Sequence, residues 1–303
     1  MKNTLLPLSL LFMLSQAQAD IRNELENIYI RSANTLLFFT SENIISSGSY
    51  EFGSKDETLD TTLFPLKYVF KNDSDFYNFY INGSIGYSKY EEKNIDFRGS
   101  FDEIDIKTTA LKLGVGVRFN ILKDTDLMFG GAYIYSKVKG IYKSPEPLDP
   151  SDPIDRALDY VFNSDNNFNT FEVISSIGYH PTINNYKPYA RADIRYFDTE
   201  IDDPFATISN TTSTISKLKI GVITPPVTSI KGLPLKLEFY ASDVLVNGDM
   251  KDALEMGNFF LLGTTFHICT TSALKYVSDV SFDINIVRGD HLDGLNFGFG
   301  LSF

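Results

Sequence analysis

The sequence predicts an all-β fold: a transmembrane, antiparallel, up-and-down β-barrel of about twelve strands, with a short N-terminal helix placed in or beneath the lumen. Three observations carry this expectation. Beyond residue 40 the apolar residues recur with a period of two, the mark of strands. Many candidate strands run 10–15 residues, against about 5–6 in soluble proteins. Past the leader the apolar runs reach only about five residues, too short for a spanning helix. In lipid every backbone group must then be satisfied within a closed barrel.

The chain opens with Lys2, the apolar run "LLPLSLLFML" (5–14) and the small-residue site "AQA" (17–19). This reads as a secretory signal over residues 1–19, cut after Ala19. Residues 20–42 form a separate N-terminal segment. Ile21, Leu25, Ile28, Ser32, Leu36 and Phe39 recur at three or four, a helical spacing, and Asp20 suits the N-cap. A helix within or beneath the barrel is one reading; a periplasmic stub or a helix at the membrane surface is the other.

Residues 43–303 are the barrel. In "YNFYINGSIGYSK" (77–89) one face is Tyr77, Phe79, Ile81, Gly83, Ile85 and Tyr87; the other is Asn78, Tyr80, Asn82, Ser84, Gly86 and Ser88. "LKLGVGVRF" (111–119) sets Leu111, Leu113, Val115, Val117 and Phe119 against Lys112, Gly114, Gly116 and Arg118. The polar face, rich in Gly, Ser, Asn and charge, is expected to line a watered lumen. Aromatic pairs near strand ends, Tyr87 and Tyr90, Tyr133 and Tyr135, Tyr186 and Tyr189, are expected to form interfacial girdles.

Strands are expected at 44–52, 60–70, 76–90, 104–119, 126–143, 167–180, 186–199, 212–224, 234–246, 257–268, 276–288 and 293–303. Short turns such as "KDTD" (123–126) and "PTINN" (181–185) alternate with longer connections at 91–103, 144–167, 200–211, 247–257 and 288–294. Short periplasmic turns and longer outer loops characterise outer-membrane barrels. The Pro- and Asp-rich insert 144–167 is the largest outer loop, with a short helix expected from Pro153.

Composition excludes several functions. The net charge is −12, so nothing attracts the chain to nucleic acid. The single cysteine, Cys269, rules out an internal disulfide framework. There are 25 Phe and 17 Tyr but no Trp. His180, His267 and His291 are scattered, and no Gly-x-Ser-x-Gly elbow is present. His291, with Asp290 and Asp293 beside it, is the least implausible catalytic feature. The acids at 149, 152, 155, 159 and 165 lack the order of a calcium loop. The tripeptide Arg288–Gly289–Asp290 is ordinary turn chemistry. No catalytic, cofactor or metal residues are therefore assigned, and no cofactor is expected.

Charges on strand faces must point away from lipid, where each costs a few kcal/mol. Lys112, Arg118, Glu172, Arg191, Asp193, Arg195, Lys217, Lys219, Lys236 and Glu238 are the candidate lumen-lining charges. They either line a pore, grip the N-terminal helix or form a network that fills a narrow barrel. The last strand, "NFGFGLSF" (296–303), alternates to its final residue, with Leu295, Phe297, Phe299, Leu301 and Phe303 on one face.

A signal, a short helical lead-in, twelve inferred strands and a terminal aromatic resemble an autotransporter translocator domain. Only about 20–40 residues precede the first strand, which leaves no room for a passenger. The chain thus looks like a solitary outer-membrane autotransporter-type β-barrel. The resemblance implies an integral protein of a Gram-negative outer membrane, non-enzymatic, with a structural, surface or limited transport role. It also implies that the C-terminal pattern is a signal to the barrel-assembly machinery. The expected partners are that machinery and outer-membrane lipid. Two alternatives stand beside this: a porin-like pore for small solutes, and an outer-membrane enzyme acting on lipid or peptide.

Overall fold

The computed structural model describes residues 45–52, 57–70, 76–95, 101–152, 155, 158, 159, 163, 165–202, 210–254, 256–271, 277 and 279–302. The expected signal (1–19), the segment 20–42 and Phe303 lie outside the described residues.

The strands are β1 (Ile45–Phe52), β2 (Glu57–Phe70), β3 (Tyr77–Ile95), β4 (Asp102–Leu122), β5 (Thr125–Lys143), β6 (Asp165–Tyr179), β7 (Lys187–Asp202), β8 (Asn210–Ile223), β9 (Thr228–Ile230), β10 (Leu233–Gly248), β11 (Asn258–Cys269), β12 (Asp279–Gly289) and β13 (Leu292–Ser302). All pairings are antiparallel between chain neighbours, except that β8 pairs with β10 while β9 is a three-residue rung on β10. β13 pairs with β1, from Ile45 opposite Phe299 to Phe52 opposite Leu292, and closes the sheet. Twelve strands form the wall, so the expected count holds.

Turn chemistry fixes the short end, which also carries β1's start and β13's finish. Asn184 and Asn185 have φ of 49° and 68°, the left-handed pair that a tight hairpin needs, and Ile183 and Tyr186 bond across it. The turn at 224–234 holds more than expected: Lys231 and Gly232, both at positive φ, fold it into the β9–β10 hairpin. At the other, loop end, the connection expected over 288–294 shrinks to two residues between β12 and β13. The connection after β10 contains a short helix, α1 (Asp249–Leu254). In the insert, Asp155, Leu158 and Asp159 are helical. Asp149 accepts hydrogen bonds from the Ser151 amide and hydroxyl, which hold its carboxyl below the usual carboxylate range.

Toward the terminal half, the outer wall is apolar. Leu66, Leu113, Val115, Phe171, Val173, Leu218, Phe239, Leu262, Ile284 and Phe297 are all exposed. So large a continuous apolar belt marks a surface that meets lipid. Tyr87, Tyr133, Tyr135 and Tyr186 stand on it as expected, but Tyr90 and Tyr189 do not. Strand parity turns both inward: Tyr90 is 1% exposed, and Tyr189 bonds Glu238.

The lumen departs from the expected polar lining in its loop-end half. There Tyr50, Leu59, Ile104, Ile106, Ile134, Val138, Phe168, Phe197, Val246 and Val287 pack into one cluster with Met250 and Leu254 of α1 and Leu158 of the insert. Ile104, Ile134 and Val138 are fully buried. The outward neighbours of these residues are charged: Glu103, Asp105 and Lys107 on β4, Lys137 and Lys139 on β5. Each long strand therefore changes sense along its length. In the terminal half the apolar face looks out, because lipid lies outside. In the loop half it looks in, because water lies outside. Every fully buried Val, Ile or Phe there contributes about 1.5–3 kcal/mol.

Two glycines let the lumen pack tyrosines against the wall. A Cβ on Gly116 would sit 2.3 Å from the Tyr80 ring, and one on Gly263 2.3 Å from the Tyr240 ring. The bare backbone is what makes room for each ring.

Candidate functional site

The polar lumen lies in the terminal half, where the wall outside is apolar. Its charges gather around a few carboxylates. Glu172 on β6 is held between Lys112 of β4 and Arg195 of β7, the latter at 3.0 Å. Glu172 is 2% exposed and Lys112 3%. Asp126, at the start of β5, takes Arg118 at 2.6 Å and Arg191 at 3.2 Å, with His180 at 3.4 Å. Arg191 also donates to the Ser176 hydroxyl. A cavity of about 90 Å³ lies between these groups, lined in part by Lys67, Tyr80, Asn82, Glu172, Arg191 and Arg195. It holds a few waters, at about 30 Å³ each, and no sugar.

Across the barrel, Glu238 of β10 accepts a bond from the Tyr189 hydroxyl and meets Lys219 at 3.5 Å and His267 at 2.8 Å. The other nitrogen of His267 faces Asp279 at 3.1 Å. Lys219 also sits 3.8 Å above the Tyr240 ring, a cation–π contact. Beside it Asp283 accepts bonds from Tyr240, Thr265 and Asn285. Asn285 accepts from Asn296, which in turn accepts from Tyr50, so the network runs across the β13–β1 seam.

Seven of the ten expected lumen charges enter these clusters: Lys112, Arg118, Glu172, Arg191, Arg195, Lys219 and Glu238. Asp193 and Lys217 lie opposite one another in register on the same inward face, and Lys236 lies opposite His267. Sequence reasoning missed Asp126, Asp279 and Asp283 as the partners, and weighed His180 and His267 only singly. Asp126 and Asp279 each stand at the start of a strand with inward parity, a signal that was present. Charged pairs so buried hold each other only while all members stay.

The chemistry offered is that of a filled network. Both His267 nitrogens face carboxylates, so neither is placed to take a proton from a nucleophile. His291 is exposed in the two-residue turn and makes no ion pair among the described residues, while Arg288 and Asp293 pair at 3.5 Å. Among the described residues no three His, Cys, Asp or Glu side chains are grouped to hold a metal ion.

On β13, Leu295, Phe297 and Leu301 are exposed on the outer wall. Phe299 stacks edge-on against Phe282 at 5.3 Å. Asn296 is buried on the opposite face.

Comparison with known proteins adds the lineage. No curated protein matches the sequence. Among solved structures, the translocator domain of the autotransporter NalP from Neisseria meningitidis aligns with a TM-score of 0.57 at 9% identity, over 95% of this chain and 97% of that one. The beta domain of the Bordetella autotransporter BrkA aligns at 0.55 and 11% identity, over 86% and 97%. The transport unit of the autotransporter AIDA-I from Escherichia coli aligns at 0.54 and 11%, over 92% and 97%. At such identities the likeness is one of fold. The family model described as the solitary outer membrane autotransporter beta-barrel domain matches residues 33–299. Twelve strands, an apolar outer belt and this match agree: the chain belongs to the solitary autotransporter beta-barrel domain family, and its place is the bacterial outer membrane.

Proposed function

We propose that this protein is a non-enzymatic, integral barrel closed to free diffusion, with a structural or surface role and at most limited transport. One observation carries the reading. The loop-end lumen is packed with apolar side chains, Ile104, Ile134, Val138, Phe168, Phe197 and Met250 among them, each 1% exposed or less. A diffusion pore needs a continuous wet path, as in the wider porins. Below the apolar core the paired charges around Glu172 and Asp126 border the small cavity described above. The purified full-length protein in a planar bilayer is expected to show no steady conductance. A stable open channel would overturn the reading. Removing residues 20–40 separates two sources of closure: current that arises only then assigns the block to that segment, and continued silence assigns it to the apolar core.

The same reading includes a signal cut after Ala19, outer-membrane lipid around the belt and the barrel-assembly machinery as the partner in biogenesis. Leu295, Phe297, Phe299, Leu301 and Phe303 are then the assembly signal. Deleting Phe303 is expected to lower the amount of heat-modifiable barrel in the membrane several-fold. Unchanged abundance of the folded form would remove that role.

A further inference from the structure

The outer surface of the loop-end half is not uniformly charged. β3, β4 and β5 carry six outward-facing lysines there: Lys89, Lys93, Lys107, Lys137, Lys139 and Lys143. Lys89 stands directly opposite Lys107, and Lys107 directly opposite Lys139. Three like charges in one cross-strand row repel each other, in a chain whose net charge is −12. The outward positions at this height on other strands read differently. They include Glu51 on β1, Asp60 on β2, Asp198 and Glu200 on β7 and Asp293 on β13, where Arg288 is already paired.

Nearby acids offset the row only in part. Asp105 lies 4.0 Å from Lys89 and 3.7 Å from Lys107, and Glu91 takes Lys89 at 2.5 Å. Glu103 pairs with Lys143 at 2.8 Å, and Asp165 with Lys137 at 3.1 Å. Lys93 and Lys139 have no ion pair among the described residues. With Asp60 of β2 directly opposite Lys89, six cations thus face five acids on this stretch of wall.

The row's height matters as much as its charge. Along β5 the outward residues run Phe129, Gly131, Tyr133, Tyr135, Lys137, Lys139. Tyr133 and Tyr135 are exposed, and their hydroxyls donate to Asn169 and Asn167 at 2.5 and 2.8 Å. They mark the edge of the apolar belt, with polar tips up and rings down. On β3 the order repeats as Ile85, Tyr87, Lys89, and on β4 as Leu111, Thr109, Lys107. The lysines begin one or two outward positions beyond the last apolar ring, at the level of lipid headgroups. Their long stems can reach either way along the wall.

We propose that the β3–β5 wall at this level is a docking surface for anionic, phosphate-bearing headgroups of the surrounding lipid leaflet. The phosphate adds counter-charge beside Lys139 and Lys93, whose in-register neighbours Asp165 and Glu103 pair with Lys137 and Lys143, and it relieves the repulsion along the Lys89–Lys107–Lys139 row. The barrel would then present one lipid-gripping side, while the acidic β7 side stays free of such lipid. The inference rests on the belt being embedded in a membrane, so its test separates the two.

The wild type, Lys89→Gln/Lys107→Gln/Lys139→Gln and Asp198→Asn/Glu200→Gln are each folded into vesicles of phosphatidylcholine with a minor phosphatidylglycerol component. Insertion is scored by the heat-modifiable form, and the lipids carried through detergent extraction are quantified by mass. Insertion of all three proteins into phosphatidylcholine alone tests the embedding; if the wild type fails there, it is the membrane reading that falls. Each lysine near an anionic surface contributes about fivefold in attraction, and these are partly paired. The triple lysine variant is therefore expected to lose its enrichment in phosphatidylglycerol about tenfold, with the β7 variant unchanged. Equal enrichment in wild type and triple variant would overturn the proposal, as would an equal loss in the β7 variant. Free inorganic phosphate, at matched ionic strength, is expected to compete no better than chloride; abolition of lipid enrichment by phosphate alone would assign the site to the free ion instead. Should the triple variant not fold, raising salt on the wild type decides. Enrichment must fall as the Debye length shortens, and salt-insensitive enrichment would sink the idea.

Discussion

Glu172→Ala is expected to destabilise the folded barrel by about 3 kcal/mol or more, seen as a lower midpoint of urea unfolding in detergent. Glu172 is shared by Lys112 and Arg195, and its side chain is 1% exposed. Removing it leaves two buried cations facing each other across the lumen with their common partner gone. Lys112→Met is expected to cost clearly less. It deletes one cation and leaves Glu172 with Arg195 at 3.0 Å, while the methionine stem occupies most of the lysine's volume. The asymmetry is the point. If the two substitutions cost the same, or if Glu172→Ala costs under about 1 kcal/mol, as an exposed pair would, then the lumen is wet enough at that level to screen the pair. The buried-network description would then be wrong.

Much of this was legible in the sequence, and the part that was not has one physical cause. Strand count and direction followed from period two and from turn residues such as Asn184 and Asn185. The inward faces followed from charges that lipid does not tolerate, which is how Lys112, Glu172 and Arg195 were each expected in the lumen; their grouping comes from the fold. What alternation alone does not reveal is which face meets which solvent at each height. In 137–143 the alternation is as clean as in 111–119, yet Val138 and Tyr142 are buried inside while Lys137 and Lys139 are outside. The sign of the amphipathicity flips between Tyr135 and Lys137. That flip was present in the letters: charged residues appear on what had been the apolar face. The same flip occurs at Lys107 on β4 and Lys89 on β3. The inward turn of Tyr90 follows from parity in the same way. The pairing of Asp126 with Arg191 was less accessible, because it joins β5 to β7, strands that are not neighbours in the sheet. Asp126 and Arg191 are 65 residues apart in the chain.

The position of that flip sets the second large expectation. Val115 is 64% exposed on β4 and stands in register with Ile81 and Gly131, midway down the apolar belt. Val115→Arg is expected to cost about 2–4 kcal/mol of membrane stability and to cut the yield of folding into vesicles sharply. Thr109→Arg, on the same strand and face but at the belt's upper edge, is expected to cost about 0–1 kcal/mol. Both positions are solvent-facing if the barrel stands in water, and there an added arginine is harmless at either. In a bilayer the two differ because hydrocarbon lies against Val115, whereas Thr109 is one outward position from Lys107, where headgroups and water begin. Folding yields measured for both variants across vesicles of increasing hydrocarbon thickness would map the belt's upper edge. Equal yields would mean that the belt is not embedded at the depth the flip assigns. A penalty that grows with thickness at Thr109 while Val115 stays maximal would fix the edge between Tyr135 and Lys137. It would show that each strand's change of sense records where the lipid stops.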